Sequence, residues 1–210
     1  MNLESRVSMY FIECEQYSKQ WWQEKLGKPS ASHFKEILPQ SGKVSKSREG
    51  YLYTLTAERI SGQQADSYSN SIMDEGMKRE AESRQLYEMI NSVEVRQVGM
   101  IYPDPQKRYL CSPDGIVDDE YGLELKNVLP KTQVKYLLSG KLPSEYYSQV
   151  QGSLLVSGFE RWDFFTYSPG LPPFQLTVHR DEAYLKILED ELEKFVVELA
   201  LVVRKLREMT

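Results

Sequence analysis

The sequence predicts an α/β fold in which a mixed central β-sheet is flanked by helices. Apolar residues recur at helical spacing early in the chain, in residues 15–26, 30–38, 51–62 and 72–91. Alternation or strong β propensity then marks strands in residues 93–102, 109–112, 123–126, 161–167 and 174–179. One helix interrupts the strands after residue 130, and a long amphipathic helix closes the chain from about Asp181. This order suits one sheet that is covered by helices on both sides.

Length and composition predict one domain over residues 1–210, which is long enough to bury a full core. Charged residues make up 27% and hydrophobic residues 40% of the chain, which is ordinary for a globular protein. No apolar run approaches the ~18 residues of a membrane span, so no membrane association is expected. Residues 1–6 lack the basic and then apolar build of a signal peptide, so we expect a cytoplasmic protein.

Charge and metal-ligand counts exclude some classes of protein. The net charge is −5 and the isoelectric point about 5.3, which argues mildly against a protein that coats DNA through bulk charge. A nuclease is compatible with this charge, because it holds a metal with carboxylates and binds phosphate through a local basic patch. The two cysteines cannot build a disulfide framework, and two histidines exclude a zinc hydrolase with several histidine ligands.

The central segment, residues 111–126, predicts a β-hairpin that carries two carboxylates and a lysine. Residues 123–126 alternate apolar and charged, so Glu124 and Lys126 share one face of a strand. The Ser-Pro-Asp-Gly sequence around Asp114 predicts a turn at the start of the preceding strand. A second tight turn between the two strands would bring Asp114 towards Glu124, with Lys126 beside them.

Two carboxylates and a lysine at one sheet edge suit metal-assisted cleavage of a phosphodiester. Carboxylate oxygens are hard ligands for Mg²⁺, which commonly takes one or two protein carboxylates, several waters and phosphate oxygens. A bound metal lowers the pKa of its water and stabilises charge on the phosphodiester. Lys126 is then expected to orient the attacking water or to help deprotonate it.

Pro113-Asp114 followed by Glu124-Leu125-Lys126 resembles the motif of the PD-(D/E)XK nuclease superfamily. A wider match includes Ser-Pro-Asp-Gly, then Gly-Leu-Glu-Leu-Lys, and stretches within residues 25–32, 76–82 and 144–157. These stretches together resemble the phage-type exonuclease family that includes lambda exonuclease, the YqaJ-type viral recombinases. The resemblance covers most of the chain and implies a restriction-endonuclease-like core.

The resemblance implies a metal site and a catalytic lysine. The residues it assigns are Asp114, Glu124, Glu80 and the Leu125 carbonyl as ligands, with Lys126 acting on the water. Mg²⁺ is the expected metal, and Mn²⁺ is expected to substitute for it. Glu82 and Glu75 are alternatives to Glu80 on the same predicted helix.

A Gln-x-Gln pair is the last part of the predicted catalytic group. Gln149 and Gln151 lie two residues apart, so they do not share a helix face and at most one reaches the site. The match to the family glutamine that lies close to the catalytic lysine favours Gln151.

The same resemblance implies that Lys25, Ser32 and Ser112 hold the terminal 5′ phosphate of DNA. Lys25 stands where relatives have arginine, so the charge is kept and the bidentate fork is lost. Lys43 and Arg48 lie in a polar, basic loop that either contacts DNA or is an ordinary solvated surface loop. Lys131 follows the hairpin and is either a backbone-phosphate contact or a surface lysine.

The activity that the resemblance implies is metal-dependent digestion of one strand of duplex DNA from its 5′ end, which releases mononucleotides and leaves a 3′ overhang. It further implies a ring-shaped homotrimer, a single-strand annealing protein as partner, and action in phage-type recombination in the bacterial host cytoplasm. Two alternatives stay open. A PD-(D/E)XK endonuclease would cut covalently closed circles, and a catalytically silent DNA-end-binding module would bind ends without Mg²⁺-dependent turnover.

Overall fold

The structure, a computed structural model, describes residues 9–64 and 70–209, of which the side chains of residues 70–77 are not described. The expectations for the first six residues, and for Glu75 as an alternative ligand, therefore lie outside the described residues.

A five-stranded mixed sheet forms the centre of the fold. The described part of the chain has seven strands, of which five form this sheet. They are β1 (Tyr10–Ile12), β2 (Val95–Arg96), β3 (Met100–Tyr102), β4 (Gly115–Val117), β5 (Tyr121–Asn127), β6 (Arg161–Tyr167) and β7 (Phe174–His179). The sheet has the order β2-β4-β5-β6-β7, and β1 and β3 form a separate antiparallel pair. The β5–β6 pair is parallel, whereas the other three pairs of the sheet are antiparallel.

The helices are α1 (Lys19–Lys25), α2 (Arg48–Ser61), α3 (Asn70–Asn91), α4 (Pro130–Ser139), α5 (Ser144–Ser157) and α6 (Glu182–Arg207), with a 3-10 helix at Ala31–Glu36. α4 and α5 form the crossover between β5 and β6, since parallel neighbours cannot be joined by a tight turn. Among the described helices, none combines the length and the apolar character that crossing a membrane requires.

Helices cover both faces of the sheet. On one face, Tyr87 of α3 belongs to the same buried cluster as Leu125 of β5 and Phe165 of β6. On the other face, Phe164 of β6 belongs to a larger cluster that includes Leu188 of α6. Neighbouring residues of a strand point to opposite faces, so Phe164 and Phe165 pack against the helices on opposite faces of the sheet. The predicted mixed sheet with flanking helices is confirmed.

Several elements lie where the sequence predicts them. β6 and β7 span the predicted residues 161–167 and 174–179. α6 begins after Asp181, whose side chain accepts a hydrogen bond from the Tyr184 N–H at 3.1 Å. This bond satisfies one of the backbone donors that a helix start leaves unpaired.

The predicted strand over residues 93–102 is divided into β2 and β3, which belong to different sheets. The division lies at Gly99, where an added Cβ would be 2.3 Å from Cys14 Sγ and 2.9 Å from the Ile12 carbonyl oxygen. This close approach of the N-terminal segment pairs β3 with β1 instead of β4. Period-2 alternation identifies extended chain but not its pairing partner.

Three further predictions are corrected. Residues 109–112 form isolated bridges instead of a full strand. Residues 30–38 contain a 3-10 helix, Ala31–Glu36, instead of an α-helix, and the free N–H of its first residue, Ala31, donates to the Leu110 carbonyl. α1 begins at Lys19 instead of near residue 15, because Tyr17 has a left-handed φ of 65°.

Candidate active site

The alternation of β5 places its charged and apolar side chains on opposite faces of the sheet. Leu123 and Leu125 pack in the cluster that contains Tyr87. Glu124 and Lys126 lie on the other face, where their side chains form an ion pair. The shared face that period-2 alternation predicts for these two charges is confirmed.

Asp114 is held beside β5 by two hydrogen bonds. Its N–H donates to the Leu123 carbonyl at 3.1 Å, and its Oδ2 accepts from the Leu125 N–H at 2.6 Å. The β4–β5 turn has Asp118 and Asp119 at φ values of 53° and 55°, a region that aspartate tolerates better than most residues. The predicted hairpin is confirmed, and it brings Asp114 to the strand that carries Glu124.

Glu124 is an almost fully buried carboxylate, 1% exposed. Its Oε1 is paired with Lys126 and accepts a hydrogen bond from Gln149 Nε2 at 2.6 Å. Burial raises the pKa of Glu124 to about 7, with Lys126 opposing the shift and Asp114 adding to it. Burial also raises the pKa of Asp114, against the opposing charge of Lys126.

Lys126 is the positive charge among these carboxylates. Burial disfavours its ammonium, but Glu124 and then Asp114 outweigh burial and raise the pKa of Lys126 above its ordinary value. Lys126 therefore favours its protonated ammonium form, in which it acts as a hydrogen-bond donor. To act as a general base, it would first have to lose a proton that both carboxylates help to hold.

Glu80 of α3 extends the charged group. Burial, and then the Asp114 carboxylate, raise the pKa of Glu80 to about 7, with the Arg84 guanidinium opposing. Glu80 Oε1 accepts a hydrogen bond from Arg84 Nη2 at 2.6 Å. Glu82, by contrast, is exposed. Of these two glutamates, Glu80 is therefore the one that the structure brings to the carboxylates of the hairpin.

The donor set at the hairpin fits a hard divalent cation. In the described part of the chain, no group of three His, Cys, Asp or Glu side chains is arranged to hold a metal. Asp114 and Glu124 supply two carboxylates, and the Leu125 carbonyl faces the Asp114 side because its N–H bonds there. Mg²⁺ completes such sites with water and substrate phosphate oxygens. Two carboxylates and one carbonyl are therefore sufficient protein ligands.

Lys25, Ser32 and Ser112 line the same cleft as the hairpin, and the Ser32 hydroxyl is hydrogen-bonded to Ser30 at 3.0 Å and to His33 at 3.1 Å. Lys25 is the last residue of α1, and its Nζ lies 4.5 Å from the centre of the Trp21 ring. Ser112 Oγ donates to the Gly99 carbonyl at 2.6 Å and accepts from Trp21 Nε1 at 3.0 Å. Burial lowers the pKa of Lys25 to about 8.

This cleft has a volume of about 240 Å³. The predicted site residues in its wall are Lys25, Ser32, Ser112, Asp114, Glu124 and Lys126. The structure therefore brings six predicted residues together from the α1 end, the 3-10 helix and the hairpin.

Gln151 is not beside the catalytic lysine, which corrects the prediction. Its Nε2 donates to the His179 carbonyl at 2.8 Å, and its Oε1 accepts from the Asp181 N–H at 2.9 Å. Gln151 thus ties α5 to the connection between β7 and α6. Gln149, on the other side of α5, lines the cleft and contacts Glu124. The Gln-x-Gln pair predicts that one glutamine lies in the site, and the orientation of α5 determines that it is Gln149.

The three other basic residues predicted to bind DNA do not line this cleft. Arg48 begins α2, pairs with Glu198 at 2.6 Å and lies over the Phe195 ring. Its guanidinium therefore supports the packing of α2 on α6. Lys43 and Lys131 are exposed, and DNA contact by either stays a prediction.

Aromatic residues form a part of the cleft that the sequence did not predict. Tyr17, Trp21 and Trp22 line it next to Asp114 and Lys25. Their spacing in the sequence predicts that they lie on neighbouring turns of a helix, but it does not predict that they line a cleft.

The chain is similar in sequence and fold to known exonucleases. The chain is 27% identical to an alkaline exonuclease, LHK-Exo, from Laribacter hongkongensis, with a TM-score of 0.81 over 91% of this chain and 97% of that one. LHK-Exo in complex with dAMP matches with 28% identity, the same TM-score and the same coverage. A phage-related exonuclease from Haemophilus somnus 129PT shares the fold, with 12% identity and a TM-score of 0.63 over 87% and 96% of the two chains.

A search of curated protein sequences found no significant match. The model of the YqaJ-like viral recombinase domain, however, matches residues 20–160, which include α1, the hairpin and α5. The chain therefore belongs to the YqaJ-like viral recombinase family, as its motifs predict.

Proposed function

We propose that the chain is a metal-dependent 5′-to-3′ exodeoxyribonuclease that acts on the ends of double-stranded DNA. The observation that carries this proposal is the single cleft whose wall contains both a carboxylate–lysine group, here called the carboxylate end, and Lys25, Ser32 and Ser112, here called the phosphate-binding end. The first group suits hydrolysis of a phosphodiester. The second suits capture of a terminal phosphate, because it combines one ammonium with two hydroxyl groups. Together they favour release of mononucleotides and a growing 3′ overhang.

Asp114, Glu124 and the Leu125 carbonyl would hold Mg²⁺, or Mn²⁺ in its place, with Glu80 as a further ligand. The metal supplies an activated water and stabilises the charge that develops on the phosphate. Gln149 orients the Glu124 carboxylate through its 2.6 Å hydrogen bond. Lys126, as an ammonium, is suited to position the water or a phosphate oxygen more than to deprotonate the water.

The exonuclease mode is favoured over the endonuclease mode by the phosphate-binding end of the cleft. An enzyme that cuts within a strand has no need for a site that accepts a terminal phosphate. The similar Laribacter protein is an alkaline exonuclease and has been solved with dAMP, a mononucleotide. This supports mononucleotides as the product of the present chain.

Membership of the family supports a proposal about partners. We propose a homotrimeric ring and a single-strand annealing protein that takes over the 3′ overhang during phage-type recombination. Light scattering after size-exclusion chromatography tests the ring. A homotrimer has three times the 24.4 kDa of one chain, and a mass of one chain would contradict it.

The activity is tested on linear duplex DNA labelled at either the 5′ or the 3′ end, with Mg²⁺ or EDTA. We expect loss of the 5′ label as mononucleotides with Mg²⁺ only, and no loss with Lys126→Ala. A covalently closed circle should stay intact, and its nicking would instead support an endonuclease. Bound ends without turnover in any metal would contradict the catalytic proposal and support a DNA-end-binding module.

A further inference from the structure

Tyr17 has an unusual backbone conformation. Its φ is 65°, in the left-handed region. The other non-glycine residues of the described chain with positive φ are Ser92, Lys107, Asp118 and Asp119. A bulky aromatic residue is a true outlier in this region, whereas aspartate enters it more readily. Such strain persists only where the surroundings enforce it, and it concentrates at active sites and ligand-binding positions.

The side chain of Tyr17 lies in the wall of the catalytic cleft. Its ring centre is 5.2 Å from that of Trp21 and 6.2 Å from that of Trp22. Trp21 is itself anchored, since its Nε1 donates to the Gly99 carbonyl at 2.9 Å. The left-handed turn thus places Tyr17 against a fixed aromatic surface that lines the same cleft as Asp114 and Glu124.

The hydroxyl of Tyr17 lies within the electrostatic influence of the catalytic groups. Burial and then the carboxylates of Glu80 and Asp114 raise the pKa of Tyr17 to about 12, so the phenol is neutral at ordinary pH. Lys126 and Glu124 are the other charged groups that act on it. Within the part of the chain that the structure describes, no hydrogen bond to this hydroxyl is found.

A neutral donor is useful next to several carboxylates. A DNA phosphate that enters the cleft is repelled by those carboxylates unless cations and hydrogen-bond donors offset them. A phenol O–H donates to a phosphate oxygen and adds no charge that would compete for the metal.

We propose that Tyr17 is a substrate-contacting residue, whose hydroxyl donates a hydrogen bond to a non-bridging phosphate oxygen of the DNA strand in the cleft. This inference rests on the proposed nuclease function and adds a residue to it. The strained turn of Tyr17 is then explained, because an unstrained residue at this position would not carry a donor to the same place.

Tyr17→Phe is the sharpest test, because it removes the hydroxyl and keeps the ring and its contacts. We expect kcat/KM on 5′-phosphorylated duplex DNA to fall about tenfold, the scale of a lost hydrogen bond to a charged group. The thermal midpoint should stay that of the wild type. Ser92→Gly is the matched control. Ser92 also has a left-handed φ and is exposed just after α3, so glycine there relieves backbone strain. It should raise the midpoint slightly without changing the rate.

A sulfur-substituted substrate separates a direct contact from a structural role. The phosphate between the first two nucleotides is replaced by each of the two phosphorothioate diastereomers. If the hydroxyl bonds one oxygen, the ratio of wild-type to Tyr17→Phe rates shrinks for one diastereomer and stays about tenfold for the other. A structural role would leave this ratio equal for both.

The outcomes distinguish this inference from the nuclease proposal. If the wild type digests DNA, Lys126→Ala does not and Tyr17→Phe equals the wild type, the role of Tyr17 is overturned and the nuclease stands. Equal ratios for the two diastereomers, or a lowered thermal midpoint that accounts for the loss, would also overturn it. If the wild type does not digest DNA with Mg²⁺ or Mn²⁺, both proposals fall together.

Discussion

The two ends of the cleft are built in different ways. The carboxylate end comes from one β-hairpin, where Asp114 is bonded to the backbone of β5 and Glu124 alternates with Lys126. The phosphate-binding end is assembled from three separate segments, namely the end of α1, the 3-10 helix and the residues before β4. The Ser112 hydroxyl is held by hydrogen bonds with Gly99 and Trp21, whereas that of Ser32 is bonded to its neighbours Ser30 and His33.

Under the proposed function, this difference separates the residues that serve catalysis from those that recognise the DNA end. The hairpin fixes Asp114 through backbone hydrogen bonds to its own strand β5, and Glu124 receives one further hydrogen bond from Gln149 of α5. The other end depends on the packing of Trp21, which contacts both Lys25 and Ser112. We therefore expect substitutions at the hairpin to abolish turnover, and substitutions at the other end to change which DNA ends are preferred.

The largest effect is expected at the hairpin. Lys126→Ala should lower the turnover rate by a factor on the order of 10² to 10³, the range for removing one positioned hydrogen-bond donor that stabilises developing charge. Mononucleotide release from 5′-labelled duplex measures it. Lys186→Ala, at an exposed lysine of α6 that does not line the cleft, is the control and should stay close to the wild type. Equal losses in the two variants would show that bulk charge, and not the cleft, determines the rate.

The glutamine pair of α5 gives the next effect. Gln149→Ala should reduce kcat about tenfold, because Glu124 loses the 2.6 Å hydrogen bond that orients it, with little change in thermal midpoint. Gln151→Ala should do the reverse, since it removes two hydrogen bonds to backbone at residues 179 and 181. Steady-state kinetics and thermal melts of both variants check this. A loss of activity confined to Gln151→Ala would contradict the assignment of Gln149.

A change of pH should act on the phosphate-binding end. Burial lowers the pKa of Lys25 to about 8, so its ammonium is lost as the pH rises through that value. The preference for 5′-phosphorylated over 5′-hydroxyl ends should then fall severalfold between about pH 7 and pH 9. Initial rates on the two substrates measure it. Lys25→Arg keeps its charge over this range, and its preference should not fall. A parallel fall in Lys25→Arg would exclude Lys25 as the cause.

The smallest effect concerns stability without metal. The pKa of Glu124 and that of Glu80 are raised to about 7 in the folded chain, so both carboxyls hold protons there that the unfolded chain loses near pH 4.5. The folded state binds more protons in this window, so the free energy of unfolding falls as the pH rises from about 4.5 to 7. Thermal melts in EDTA should show a midpoint lower by a few degrees at pH 7 than at pH 5.

The same melts sharpen the metal prediction. Mg²⁺ should raise the thermal midpoint more at pH 8 than at pH 5, because ionised carboxylates bind it and protonated ones do not. Glu124→Gln should weaken the pH dependence, leaving the contribution of Glu80, and should lose most of the Mg²⁺ effect, since it keeps the shape of the side chain and removes its charge. A midpoint in EDTA that rises between pH 5 and pH 7 would contradict the raised pKa values.

Local patterns in the sequence predict a large part of the fold and of the hairpin. Alternation alone places Glu124 and Lys126 on one face of β5, because successive strand residues point to opposite faces whatever surrounds them. The sequence also predicts where β6 and β7 begin and end and where α6 starts. Each of these boundaries depends on residues within or next to the element itself. The motif around Asp114 predicts the hairpin, whose length brings the carboxylates together.

Only the tertiary structure decides which neighbours those elements meet. Gln149 and Gln151 lie on nearly opposite faces of α5, and the rotation of that helix against the sheet selects Gln149 for the site. The segment over residues 93–102 divides because β1 approaches Gly99 from elsewhere in the chain. Tyr17 reaches the cleft through a left-handed turn that its own residue type disfavours. Each of these outcomes results from packing between segments distant in sequence, which a pattern confined to one segment does not contain.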